Sequence, residues 1–134
     1  MKVRKVGKTF IKHIPYIETV IFYDGGFFLG HQITTVSFKD NRAIYTTKRR
    51  PFMNNGIPRE GMSKVEFLAK IEALHIEEWE KDYESFDQDG EQWELSIHFS
   101  DGHRPVKIYG SDAFPPNFKK LQQLMKSPFV EEND

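Results

Sequence analysis

The stretch from Trp93 to Phe99 constrains this chain more than any other. Trp93, Leu95, Ile97 and Phe99 alternate with Glu94, Ser96 and His98, which is the period of a strand with one face in a core and one in water. Ser100-Asp101-Gly102-His103 turns the chain and Val106–Tyr109 returns. Phe118, Leu121, Leu124 and Met125 then follow at helical spacing, with Pro116 placed for a first helical turn. The unit from Trp93 to Met125 reads as a β-hairpin and a short helix, with the apolar side of the strand against Phe118, Leu121 and Leu124.

The segments before it supply more sheet and one helix. Ile17–Tyr23 is β-branched and aromatic and ends at Asp24-Gly25-Gly26, where glycine reaches turn conformations without steric cost. Phe27–Leu29 extends a strand or forms a bulge, and Gly30 leads into Gln32–Phe38. Lys39-Asp40-Asn41-Arg42 forms a polar loop and Ala43–Thr47 returns, an antiparallel meander of three strands. Lys48–Gly61, with Pro51, Asn54-Asn55-Gly56 and Pro58, reads as a loop. Ser63 and Glu66 have the spacing of a capping box. It opens a helix from about Lys64 to about His75, with Val65, Phe67, Leu68, Ile71 and Leu74 as its buried stripe. Ile76, Trp79 and Tyr83 pack beneath a following turn or short helix, and Asp87-Gln88-Asp89-Gly90 is a turn. The fold class is α+β, a mainly antiparallel sheet in the order β-β-β-α-β-β-α with the helices on one face. Residues 1–126 form a single domain and residues 127–134 an acidic tail.

Composition fits that reading. Twelve phenylalanines, five tyrosines and two tryptophans among 134 residues supply a core. There is no cysteine, which excludes disulfides, thiolate metal sites and cysteine nucleophiles and fits a reducing compartment. Lys2, Arg4 and Lys5 resemble the start of a signal peptide, but Lys8, Lys12, His13, Pro15 and Glu18 interrupt every apolar window after them. No stretch approaches the roughly 20 apolar residues of a membrane span. The expected location is cytoplasmic, with no membrane partner.

The formal net charge of −1 hides an asymmetry. Residues 1–50 hold ten Lys/Arg and three acids, whereas residues 51–134 hold nine and seventeen. Either the halves form neighbouring faces that attract each other, or the first half offers a basic surface. For nucleic acid, the binding residues would be Lys2, Arg4, Lys5, Lys48, Arg49 and Arg50. Lys48-Arg49-Arg50 lies between Tyr45 and Phe52, so bidentate phosphate contacts could be joined by stacking on an unpaired base.

Catalytic and metal motifs do not assemble. A calcium loop starting at Ser85 would put Asp87, Asp89 and Gly90 at its third, fifth and sixth positions. It would also put Ser85 first, Trp93 ninth and Ser96 twelfth, against the ligand rules. His13, His31, His75, His98 and His103 include no HxH pair and no HExxH helix, although His98 and His103 flank one turn. There is no GxSxG elbow, and Gly25, Gly26 and Gly30 are not followed by the lysine of a phosphate loop. No catalytic residue, metal ligand or cofactor is assigned.

From Phe22 onward the chain resembles a loose group of small bacterial α+β proteins of unknown function, often from Firmicutes. Phe22-Tyr23-Asp24-Gly25-Gly26 with Gly30, and Leu74-His75-Ile76-Glu77-Glu78-Trp79, carry part of the likeness. The clearest part runs from Asp89-Gly90-Glu91-Gln92-Trp93 to Ser100-Asp101-Gly102, and then through Gly110-Ser111-Asp112-Ala113-Phe114-Pro115-Pro116-Asn117-Phe118. These motifs consist of core aromatics and turn residues, so the resemblance implies a fold and no activity. Met1–Pro15 has no counterpart in it.

An aromatic-rich fold with split charge and no assembled catalytic set favours a non-enzymatic module that binds another protein, of the inhibitor or immunity type. Nucleic-acid binding through the basic residues above comes second. A metal-dependent hydrolase using Asp87, Asp89 and a histidine comes third.

Overall fold

The computed structural model describes residues 4–26, 30–50, 56–84 and 90–128. A short helix α1 (Thr9–His13) and a 3-10 turn (Ile14–Tyr16) precede three long strands, β1 (Ile17–Gly26), β2 (Gly30–Lys39) and β3 (Arg42–Arg50). Next come β4 (Arg59–Ser63), helix α2 (Lys64–Ala73), a 3-10 turn (Ile76–Glu78) and β5 (Asp82–Glu84). The hairpin β6 (Gln92–Phe99) and β7 (Val106–Ser111) leads to helix α3 (Phe118–Leu124). The protein is α+β, built on a seven-stranded sheet in the order β4-β3-β2-β1-β6-β7-β5. Every pairing is antiparallel except β5 with β7.

The meander forms as the sequence predicts, and its β2–β3 turn is tight because Asp40 and Asn41 both take positive φ (52° and 63°). Two consecutive left-handed residues match the right-handed twist of the strands they join. The register then aligns apolar side chains into rows. Tyr45, Val36, Val20, Ile97 and Val106 stand opposite one another across five strands, and all are buried. Phe22, Leu95 and Ile108 form the next row, beside Thr34, whose hydroxyl bonds that of Thr47 at 3.0 Å.

The helices add aromatic side chains to these rows. Phe67 of α2 packs edge-on to Phe38 and Tyr45, with centroids 5.5 and 6.3 Å apart. Phe118 of α3 meets Phe22 at 5.9 Å and Trp93 at 4.7 Å, and Phe10 of α1 meets Phe99 at 6.2 Å. The Tyr45 hydroxyl donates to the Leu124 carbonyl at 2.8 Å, tying β3 to the end of α3 in a buried place. Burial pushes that hydroxyl up to about 12, with nearby Glu66 adding to the shift.

Several sequence expectations need correction. The order gains α1, β4 and β5. β4 occupies part of the expected 48–61 loop, and its Gly61 is required there: a Cβ would sit 2.6 Å from the Tyr45 ring. The α2 stripe is Phe67, Ile71 and Leu74 with Leu68 packed partly buried against it, whereas Val65 is 79 % exposed. Two residues before Phe67, Val65 lies roughly 200° around the helix and faces water. The Ser63 hydroxyl does accept the Glu66 N–H, at 3.1 Å. α2 ends at Ala73 rather than His75, which takes a left-handed φ of 56°. α3 begins two residues after Pro116, following a left-handed Asn117 (φ 68°) whose amide reaches the Leu74 carbonyl at 3.4 Å. Ser127, placed in the tail, is buried. The expected elements at Phe27–Leu29 and Asp87–Asp89, and tail residues 129–134, lie outside the described residues.

Candidate functional site

Strand alternation sends one set of side chains toward the helices and the other to the opposite side. Lys48, Ile33, Tyr23, Glu94, Tyr109 and Asp82 are opposed in turn on β3, β2, β1, β6, β7 and β5, so they form one continuous row on that opposite side. At about 4.8 Å per strand the row is ~24 Å long. Ile33 and Tyr109 are each 38 % exposed, a large apolar contribution to water for residues in the middle of a sheet. A parallel row of Thr46, Thr35, Ile21, Ser96 and Lys107 flanks it. Apolar and aromatic groups therefore lie among small hydroxyls, with a lysine at one end of the main row and an aspartate at the other.

Tyr23 is the fixed point of this surface. Its ring stacks on His31 at 5.6 Å and its hydroxyl is hydrogen-bonded to His31 Nδ1 at 2.5 Å. Gly25 leaves room for the pair, since a Cβ there would lie 2.6 Å from the imidazole and 2.7 Å from the hydroxyl. Burial, reinforced by the charges of Asp24 and Glu94, raises the phenol above its usual range, so Tyr23 stays neutral.

A second polar group sits where β1 ends and β6 begins. Glu91 is hydrogen-bonded to Asp24, and that bond, burial and the charges of Asp24 and Asp112 together push its carboxyl up to about 7. Gln122 of α3 donates to Asp24 at 3.4 Å. Glu91 also borders a cavity of about 540 Å³ lined by Phe114, Pro115 and Phe118. The arrangement can hold a proton between two carboxyls. Among the described residues, no group of three or more His, Asp or Glu side chains is placed to hold a metal ion. Asp87 and Asp89, the acids of the hydrolase reading, lie outside the described residues.

The basic residues singled out in the sequence divide into two places. Arg4 and Lys5 lie beside β5, where the Lys81 N–H donates to the Arg4 carbonyl at 2.8 Å and Lys5 bridges to Glu80. Lys48 and Arg49 lie near the far end of β3, opposite Ile33 and Gln32, and alternation sends them to opposite sides of the sheet. Six strand spacings, ~29 Å, separate the two places. Arg50 closes β3, and Lys2 lies outside the described residues. The structure does not bring Arg4 and Lys5 together with Lys48 and Arg49.

The histidines hold a pairing that sequence spacing concealed. His103 stacks on His13 of α1, with centroids 3.7 Å apart and planes 11° from parallel, and His13 bonds Asp101 at 2.7 Å. His98, the neighbour suggested by the turn, projects from β6 opposite Thr19. Ninety residues of chain separate the stacked pair, so no local motif could reveal it. Among the described residues, no helix is long and apolar enough to cross a membrane. No model of a known protein family matches the chain, and no curated protein matches it.

Proposed function

We propose that this chain is a non-enzymatic module that binds another protein in the cytoplasm, in the manner of an inhibitor or immunity protein. Its contact surface is the row from Lys48 to Asp82. The supporting observation is that row itself, with Ile33 and Tyr109 each 38 % exposed beside a rigid Tyr23–His31 pair. The ring contacts of all three helices fall on Phe22, Phe38, Tyr45, Trp93 and Phe99, which alternation puts on the other side of the sheet. Among the described residues, these helix contacts leave the row open to a partner. Tyrosine and aliphatic anchors among small polar groups suit a protein contact, since tyrosine brings large area with few rotamers to freeze. The resemblance to small bacterial proteins belongs to the same reading. Of the residues of the nucleic-acid reading, Arg4 and Lys5 lie at one edge of the sheet and Lys48 and Arg49 near the other, which ranks that reading second.

The test is affinity purification from the native host, comparing the tagged parent with Ile33→Glu/Tyr109→Glu. A stoichiometric partner should accompany the parent and be lost from the variant, whose thermal midpoint stays near the parental one. Recovery of the parent alone under gentle conditions, or equal recovery of the partner with the variant, would count against the proposal.

A further inference from the structure

Backbone pairing draws four cations from distant parts of the chain into one cleft. The Tyr109 N–H donates to the Lys81 carbonyl at 3.0 Å and the Lys81 N–H donates to the Arg4 carbonyl at 2.8 Å. Three chain segments thus run side by side, carrying Lys107, Lys81 and Arg4. The turn between β6 and β7 adds His103 and Arg104. Together with Val6, Thr9 and Pro105 these residues line a cleft of about 800 Å³, and among the described residues no acid lines it. That is the size of sites that take small ligands.

Among the described residues, no ion pair neutralises the cations of the cleft. Salt bridges join His13 to Asp101, Arg42 to Glu60 and His75 to Glu77. None uses Arg4, Lys81, Arg104 or Lys107. Asp101, the carboxylate of the adjoining turn, is engaged by His13 and by the His103 N–H at 3.1 Å. In a chain of net charge −1, four unpaired cations around one concavity make a local field that favours a dense anion. Arginine offers a planar fork that matches phosphate oxygens, and lysine adds a point charge.

We propose that this cleft binds a compact anion carrying two or more phosphate groups. Four cations from three segments exceed the charge of a single phosphate and suit a ligand with several. A long polyanion fits poorly for a different reason: Glu78, Glu80, Asp82 and Glu84 follow one another along the segment that carries Lys81 and would repel a backbone leaving the cleft.

The test is calorimetry on the full chain with sodium tripolyphosphate, in phosphate-free buffer at physiological salt. Saturable one-to-one binding is expected, and Arg104→Ala/Lys107→Ala should weaken it by about tenfold or more. Lys119→Ala/Lys120→Ala, which removes two exposed lysines from α3, should leave it within about twofold. Arg104→Ala alone serves if the double variant loses its parental melting curve. The proposal is overturned if the parent shows no saturable heat with millimolar tripolyphosphate, or if the α3 variant weakens binding as much as the cleft variant. It is also overturned if single-stranded oligonucleotides bind more tightly than tripolyphosphate with affinity that grows with length.

Discussion

Gly110→Ala tests the packing near the open end of the β6–β7 hairpin. Gly110 lies opposite Trp93 in the register, and a Cβ there would sit 2.1 Å from Trp93 Nε1, 2.3 Å from Cε2 and 2.7 Å from Cζ2. Ordinary contact between such atoms needs about 3.5–4.0 Å, so the indole must retreat by ~1 Å or more. It has little room: Trp93 is fully buried, with Phe118 at 4.7 Å, Tyr83 at 6.0 Å and its N–H donated to the Ala113 carbonyl at 3.0 Å. Overpacking of this kind costs about 1–3 kcal/mol, and a lost indole hydrogen bond about 1 kcal/mol more. Reduced freedom of the unfolded chain returns about 0.4–1 kcal/mol. The net expectation is a loss of about 2–3 kcal/mol, or ~6–15 °C in thermal midpoint for a domain of this size. Urea denaturation followed by circular dichroism measures it. In a Trp93→Phe background the smaller ring leaves space, so the same alanine should cost at least about 1 kcal/mol less. A Gly110→Ala protein within about 0.5 kcal/mol of the parent, or equal cost in both backgrounds, would refute the reasoning.

Other outcomes follow from single groups. Glu91 has a folded pKa of about 7, raised from 4.5, so the folded state holds a proton that the unfolded state releases between those values. The contribution of Glu91 to stability is therefore greatest at low pH and falls as pH rises through about 7; melting scans should show a flatter decline for Glu91→Gln. Tyr45 is the alkaline counterpart: its hydroxyl holds its proton to about 12, against 10 when unfolded, so stability should fall as pH rises across that window. Tyr45→Phe should lessen this dependence, leaving the share of Tyr23 and Tyr83, and cost about 1–2 kcal/mol in urea, because the Leu124 carbonyl loses its donor. The two tryptophans should respond differently to phenylalanine. Trp79 Nε1 has no hydrogen-bond partner among the described residues, whereas Trp93 Nε1 donates to Ala113. Trp93→Phe should therefore cost about 1 kcal/mol more than Trp79→Phe by equilibrium unfolding.

Legibility of the fold followed the strength of local signals. The alternation from Trp93 to Phe99 and the polar turns at Asp40-Asn41 and Ser100–His103 are periodic or chemically specific, and each produced the element expected of it. β4 was hidden because Pro58 and Gly61 are read as breakers; its glycine makes sense only once the Tyr45 ring lies over it. β5 has three residues, too few for a period, and is held by pairing with β7. Val65 was misjudged because a list of apolar residues does not record the angle around a helix. The candidate surfaces were less legible still. The exposed row takes one residue from each of six strands, and the basic cleft takes Arg4, Lys81 and the Arg104–Lys107 pair from three separate segments. Neither has a signature that any window of sequence contains.

The place of β1 in the sheet has a consequence for synthesis. β1 is flanked by β2 on one side and by β6 on the other. As the chain leaves the ribosome, β2 can pair with β1 almost at once, but β6 ends only at Phe99. Until then the Ile17–Tyr23 edge, β-branched and aromatic with Glu18 as its sole charge, lacks its second neighbour. Such edges recruit strands from other chains. That edge stays exposed while β3, β4, α2 and β5 are made, and its closure by β6 is a pairing between residues far apart in sequence, the kind that slows folding.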